Sequence, residues 1–155
     1  MLAAAVVEGV AAYREFAGED WPGFPLDGEV ESFRELVLLP DFWSLMAEQS
    51  GELLGQVTIQ SSETTRLPVG DPGLGHLRNL FVRRDQWGTG LARQLHDAAV
   101  EEARRHGYGE LRLFAAAGQA RARRFYERDG WVAAGAPAFD AKSGLDMVEY
   151  RLALP

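Results

Sequence analysis

Residues 77–107, "LRNLFVRRDQWGTGLARQLHDAAVEEARRHG", constrain the fold more than any other part of the chain. An apolar run gives way to charge, passes a Gly-x-Gly and becomes an amphipathic segment with Leu91, Leu95, Ala98, Ala99 and Ala103 on one side. That order predicts a strand, a glycine-bearing turn and a helix. The segment closes on Arg104, Arg105 and His106 before Gly107. Basic residues and a glycine suit a helix C-terminus and its dipole. At the other end, the first helical N–H groups have no intrahelical partner, and the macrodipole favours negative charge there. A phosphate is the simplest ligand for that arrangement. The amides of Gly88, Thr89, Gly90, Leu91 and Ala92 would hold it, with Arg83, Arg84 and Arg93 available to neutralise its charge. Taken alone, the Gly-x-Gly reads equally well as a tight turn where glycine only permits close packing.

The flanking pattern is mixed. "AAAVVEGVAAYREF" carries Val6, Val10, Tyr13 and Ala17 at helical spacing, and a shorter helix is expected over 29–38 after the loop "EDWPGFPLDGE". "FWSLMAEQSGELLGQVTIQSS" reads as two strands joined by a tight turn at Gln49–Glu52. Residues 61–73 form a second loop, broken by Pro68, Gly70, Pro72 and Gly73. Strands follow at "LGHLRNLFV" and, beyond the long helix, at "ELRLFAA", with Leu111 and Leu113 on one face. "GQARARRFYERDG" is a helix ending at Gly130, and "WVAAGAPAF" and "DMVEYRLAL" are strands. The order α α β β β α β α β β predicts an α/β class, antiparallel at its beginning and end. No repeat or linker interrupts it, so residues 1–155 read as a single domain.

Composition excludes several functions. With no cysteine there is no disulfide, thiolate nucleophile or cysteine–metal site. His76, His96 and His106 lack metal-motif spacing, so no metal is expected. No apolar run is long enough to span a membrane, and the opening segment lacks the basic start of a signal peptide. No membrane partner is expected, and cytoplasmic residence is the default. The net charge of −7 argues against a nucleic-acid surface. It suits a cationic or amine partner, but solubility alone accounts for an acidic balance. Residues 1–75 hold only Arg14, Arg34 and Arg66 as bases, so an anionic ligand belongs to the second half.

Residues 40–154, most strongly 77–131, resemble the GNAT family of N-acetyltransferases. The family's cofactor strand ends in an aromatic–Val pair, matched by Phe81 and Val82. Its loop, Q/R-x-x-G-x-G/A, is matched by "WGTGLA", with Gly90 and Ala92 at the small positions and Trp87 in place of Gln or Arg. Its second motif, N-x-x-A-x-x-F-Y-x-x-x-G-F/W, is matched by "QARARRFYERDGW". There Ala122, Phe125, Tyr126, Gly130 and Trp131 fit, and Gln119 stands where Asn is usual. The resemblance implies a GNAT-like mixed sheet flanked by helices. Its central parallel pair, 74–82 and 110–116, would splay toward the C-terminal ends to admit the pantetheine of acetyl-CoA. No segment matches the family's first strand; the chain opens in a helix. The implied cofactor-binding residues are Leu80, Phe81, Val82, Trp87, Gly88, Thr89, Gly90, Leu91, Ala92, Arg93 and Gln119.

The implied activity is direct acetyl transfer from acetyl-CoA to an amine of a small molecule or peptide, with the oxyanion held by a backbone N–H of the cofactor strand. Tyr126 occupies the position of the acid that protonates the departing thiolate; its bland reading is a core tyrosine with its hydroxyl at the edge. His76, Arg78, Leu80 and Val82 share one face of their strand by its period of two. His76 stands six residues before Val82, where several branches of the family place a base, and an ordinary histidine pKa near 6.5 suits that work. It reads equally as a strand-edge histidine without catalytic duty. Arg78 could bind a substrate carboxylate or pair within the fold. Glu48, Asp140, Asp146 and Glu149 would flank the acceptor cleft without an assigned role. The absent first strand, Trp87 and Gln119 motivate an alternative: a non-catalytic acyl-CoA-binding module or half of a tandem assembly. A nucleotide P-loop is disfavoured, because "GTGLAR" lacks the Lys-Ser/Thr pair. Pairing of two copies through the C-terminal strands is a further expectation.

Overall fold

In the computed structural model, which describes residues 2–23 and 34–155, helix α1 (Leu2–Ala17) precedes strands β1 (Trp43–Gln49) and β2 (Glu52–Ser61). Strand β3 (Leu74–Val82), helix α2 (Leu91–Arg105), strand β4 (Glu110–Ala116) and helix α3 (Ala120–Arg128) follow. The chain closes with β5 (Val132–Ala133), β6 (Ala138–Asp140) and β7 (Leu145–Ala153). Of the helix expected over 29–38, residues 34–36 are helical and 29–33 lie outside the described residues.

The strands form one mixed sheet in the order β1-β2-β3-β4-β7-β5, with β6 also paired to β7. β1, β2 and β3 are antiparallel, β3 and β4 parallel, and β4 and β7 antiparallel. The first hairpin turns on Ser50 (φ 53°) and Gly51 (φ 82°). Two successive positive φ angles are what a two-residue turn needs to match strand twist. The parallel pair requires a crossover, which α2 supplies.

The stretch expected as one strand, "WVAAGAPAF", is two. Val132–Ala133 lies opposite Arg151–Tyr150, and Ala138–Asp140 opposite Met147–Leu145. Residues 135–137 loop out between them, because Pro137 has no N–H to give the ladder.

One face of the sheet packs under α2. Leu95, Ala99, Val100 and Ala103 meet Val57, Ile59, Leu77, Leu111 and Leu113, all buried. The odd-numbered residues of β2 and β4 supply this layer by strand alternation. Helix α1 packs elsewhere: a Cβ on Gly9 would lie 3.4 Å from Phe81, and Phe16 sits against Gly118. The Trp21 indole N–H donates to the Ser143 carbonyl at 2.7 Å, tying the turn after α1 to the start of β7.

The β3–β4 ladder is short. It pairs Leu74 with Glu110, Gly75 with Leu111 and His76 with Arg112. Beyond that point β3 continues against β2 alone and β4 against β7 alone.

Candidate active site

Where the β3–β4 ladder stops, β3 also loses regular pairing on its other side. Gln56 of β2 opposes Phe81 and Thr58 opposes Arg78, so two steps along β2 match three along β3. The extra residue falls at Asn79, whose φ is 54°. This is a β-bulge, which leaves a backbone unit out of the ladder and re-aims the strand. Asparagine is among the few residues other than glycine that tolerate this region. The Asn79 side-chain nitrogen is buried without a hydrogen-bond partner. The one sequence signal for Asn79 is a strand-averse residue inside "LRNLFV".

From β3 the chain enters the glycine loop through a 3₁₀ turn, Arg84–Gln86. The Trp87 indole N–H donates back to the Val82 carbonyl at 3.0 Å, fastening the loop to its strand. Gly88 and Gly90 both adopt left-handed backbone, with φ of 85° and 89°. The Thr89 amide turns inward to the Gln86 carbonyl, and the Leu91 amide meets the Thr89 hydroxyl at 3.4 Å. The N–H groups of Gly88, Gly90, Ala92 and Arg93 have no hydrogen-bond acceptor among the described residues. Residues 88–90 are exposed, and nothing lies within 4 Å of a Cβ built on either glycine. Three of the five amides expected to hold a phosphate are thus free and open. Thr89 is not among them, and Leu91 is partly used.

The expected phosphate-neutralising arginines each hold a carboxylate. Arg83 is paired with Asp85 at 2.7 Å and Glu52 at 2.9 Å. Arg84 pairs with Glu15 and Arg93 with Asp129. Trp87, the departure from the family motif, lies under the Arg121 guanidinium at 3.8 Å from the ring centre, with Arg84 at 5.3 Å. Leu80, Phe81 and Val82 are half-buried at the end of β3, and Gln119 is half-buried at the N-cap of α3 without a side-chain capping bond.

Tyr126 is buried on α3 among the rings of Phe125, Trp131 and Tyr150, at 5.5, 5.8 and 6.2 Å. Burial, and secondarily Tyr13, pushes its hydroxyl above the usual tyrosine range. It stays protonated. Trp131 is anchored by donating to His96 Nε2 at 2.9 Å. That leaves the His96 proton on Nδ1, facing the Asp97 carboxylate at 2.9 Å. The Tyr150 hydroxyl, by contrast, bridges Arg123 and Glu127.

His76 occupies the last pair of the parallel ladder, opposite Arg112, and its ring lies 5.8 Å from that of Phe114. Its Nδ1 is out of solvent and has no partner. Burial, then Arg112 and Arg78, lowers its pKa to about 3. The base reading rests on a value near 6.5; burial is the first cause of the difference, and the two guanidiniums, one of them from β4, add to it. Arg78 donates to the Gln60 amide oxygen at 3.3 Å, and Arg112 donates to Thr65 at 2.7 Å and to the Leu67 carbonyl. Asp140 and Glu149 are engaged by Arg66 and Arg151. Among the described residues there is no cluster of three metal-ligating side chains, and no helix is long and apolar enough to cross a membrane.

The acetyltransferase (GNAT) family model matches residues 10–131. The chain is 26% identical to a nourseothricin acetyltransferase of known structure, over 75% of this chain and 67% of that one, with a TM-score of 0.63. It shares its fold with a GNAT-family structure from Desulfovibrio desulfuricans, 23% identical over 97% and 92% of the two chains, TM-score 0.70. It also shares its fold with a Salmonella typhimurium structure carrying its cofactor acetyl-CoA, 18% identical over 97% and 88%, TM-score 0.69. No curated protein is close enough in sequence to match. A parallel ladder that ends after three pairs, a bulge just beyond it, a loop of free amides at a helix start and a family match across most of the chain agree: this chain belongs to the acetyltransferase (GNAT) family, enzymes that use acetyl-CoA.

Proposed function

We propose that the protein transfers the acetyl group of acetyl-CoA to the amine of a small molecule by direct attack. The observation that carries this reading is the early end of the β3–β4 ladder at His76 and Arg112, next to the Asn79 bulge. Backbone groups released from pairing must find another partner or remain costly. The amide-rich pantetheine arm of CoA is such a partner, and strands splayed beyond that pair would admit it. Its pyrophosphate would then meet the amides of Gly88, Gly90 and Ala92 at the start of α2. The likeness to a nourseothricin acetyltransferase supports a small-molecule acceptor.

In this reading, the acceptor nitrogen attacks the thioester carbon and the C–S bond breaks. The unladdered backbone at the bulge offers an N–H to the carbonyl oxygen as charge gathers there. The sulfur takes a proton from Tyr126, which burial keeps protonated and which water reprotonates after the products leave. The ammonium proton leaves to water, because His76 binds a proton too weakly to hold it near neutral pH. His76 instead presents an accepting nitrogen to the acceptor or to a bridging water. The main contribution is holding amine and thioester together.

Thiol release from acetyl-CoA, measured against a panel of amines alongside calorimetric CoA binding, tests the proposal. Turnover with at least one amine class is expected. CoA binding without turnover across a broad panel would favour a non-catalytic acyl-CoA-binding module, and absence of CoA binding would remove the site altogether.

A further inference from the structure

In a chain of net charge −7, most arginines are neutralised by a neighbouring carboxylate. Arg121, Arg124 and Arg128 are not: none has a carboxylate within ion-pairing distance among the described residues. Their spacing places them along one side of α3. There, with Glu127, they border a shallow concavity in the surface.

This arrangement is unfavourable by itself. Like charges one turn apart repel by a few tenths of a kcal/mol, and a cation in the first turn opposes the helix dipole. Among the described residues, the Trp87 ring, 3.8 Å below Arg121, compensates locally. Trp87 directly precedes the open amides of Gly88 and Gly90, and its indole is fixed to the Val82 carbonyl. The stripe therefore begins beside the phosphate loop and extends for about 10 Å at 1.5 Å per residue.

We propose that Arg121, Arg124 and Arg128 recognise the 3′-phosphate on the CoA ribose, with Trp87 as the rigid platform that aims Arg121. This rests on the reading that CoA's pyrophosphate sits at Gly88–Ala92. The 3′-phosphate is one ribose away from that pyrophosphate and carries a second block of charge. Guanidiniums bind such oxygens through paired N–H groups. Trp87 thus takes over, through a stacked arginine, a position where the family resemblance places a polar or charged side chain.

Calorimetric titration of CoA and of 3′-dephospho-CoA tests this. Hydrogen bonds to charged groups of this kind correspond to about a tenfold preference or more, so wild-type protein should bind CoA at least that much tighter. The preference should shrink with added salt. In Arg124→Ala/Arg128→Ala it should fall to about twofold or less, with 3′-dephospho-CoA affinity unchanged and helix content intact by circular dichroism. Equal wild-type affinities, or a preference that survives in Arg121→Ala/Arg124→Ala/Arg128→Ala, would overturn the recognition site alone and leave the stripe as a surface for an acidic protein. Binding of neither nucleotide would overturn the CoA reading as well.

Discussion

Tyr126 and His76 are both titratable groups withdrawn from water, and burial moves them in opposite directions. The tyrosine keeps its proton more firmly and the histidine sheds it more readily, because each is held in its neutral form. For Tyr126→Phe, packing is nearly preserved, so turnover should fall by about 10²–10⁴ while CoA affinity barely moves. Near-normal turnover, with chemistry shown to be rate-limiting, would take the acid role away. His76 makes a stability prediction. Its unfolded value is near 6.5 and its folded value about 3, so between them the unfolded state binds more protons. This contribution is complete above pH 6.5 and is lost on acidification, at about 1.4 kcal/mol per pH unit across that window. Chemical denaturation at pH 7 and pH 4.5 should show a smaller loss in His76→Gln than in wild type. An identical loss in both would mean the ring is not held neutral. The place of Tyr126 in its motif was legible in the sequence. The lowered basicity of His76 was not, because it depends first on burial in the folded sheet and then on Arg112, a neighbour brought in from another strand.

At the scale of elements, the glycine loop offers a sharp test. Gly90 sits at φ 89° with open space where a side chain would go. In Gly90→Val the penalty is therefore backbone conformation plus obstruction of the ligand, not a clash within the protein. Left-handed backbone costs an ordinary L-residue about 1–2 kcal/mol, and a β-branched residue adopts it least readily. CoA affinity should drop at least tenfold with the circular dichroism spectrum retained. Unchanged affinity would move the phosphate site off this loop. Gly90→Asn, which tolerates the same backbone, should lose less. The strands at 74–82 and 110–116 were readable because their apolar runs end in breakers, and the long helix because its stripe repeats every turn. The Asn79 bulge was hidden, since a bulge is a property of pairing between strands. The break at Pro137 is visible in the residues, because proline cannot give an N–H to the ladder.

Across the whole molecule, the sheet consists of two antiparallel halves, β1-β2-β3 and β4-β7-β5, joined by three parallel pairs and spanned by α2. The joint is tight: a Cβ on Gly75 would come within 2.7 Å of both Leu111 and Tyr108. The halves are thus held together at the end where the three pairs lie. Charge and composition point an anion to the second half but say nothing of this joint, which depends on side chains 33 and 36 residues beyond Gly75. If CoA lies between the halves, it replaces missing ladder bonds on both at once. At about 100 times its dissociation constant, such a ligand adds about 2.7 kcal/mol to folding stability. For a chain of this size that corresponds to several degrees in Tm. Amide exchange locates the gain: protection should rise within 77–82 and within 113–116, in addition to the loop at 88–92. Groups on both strands change from water to ligand as hydrogen-bond partner. Protection confined to the loop would mean that CoA touches the helix start without entering between the strands, and the direct-transfer geometry would have to be abandoned.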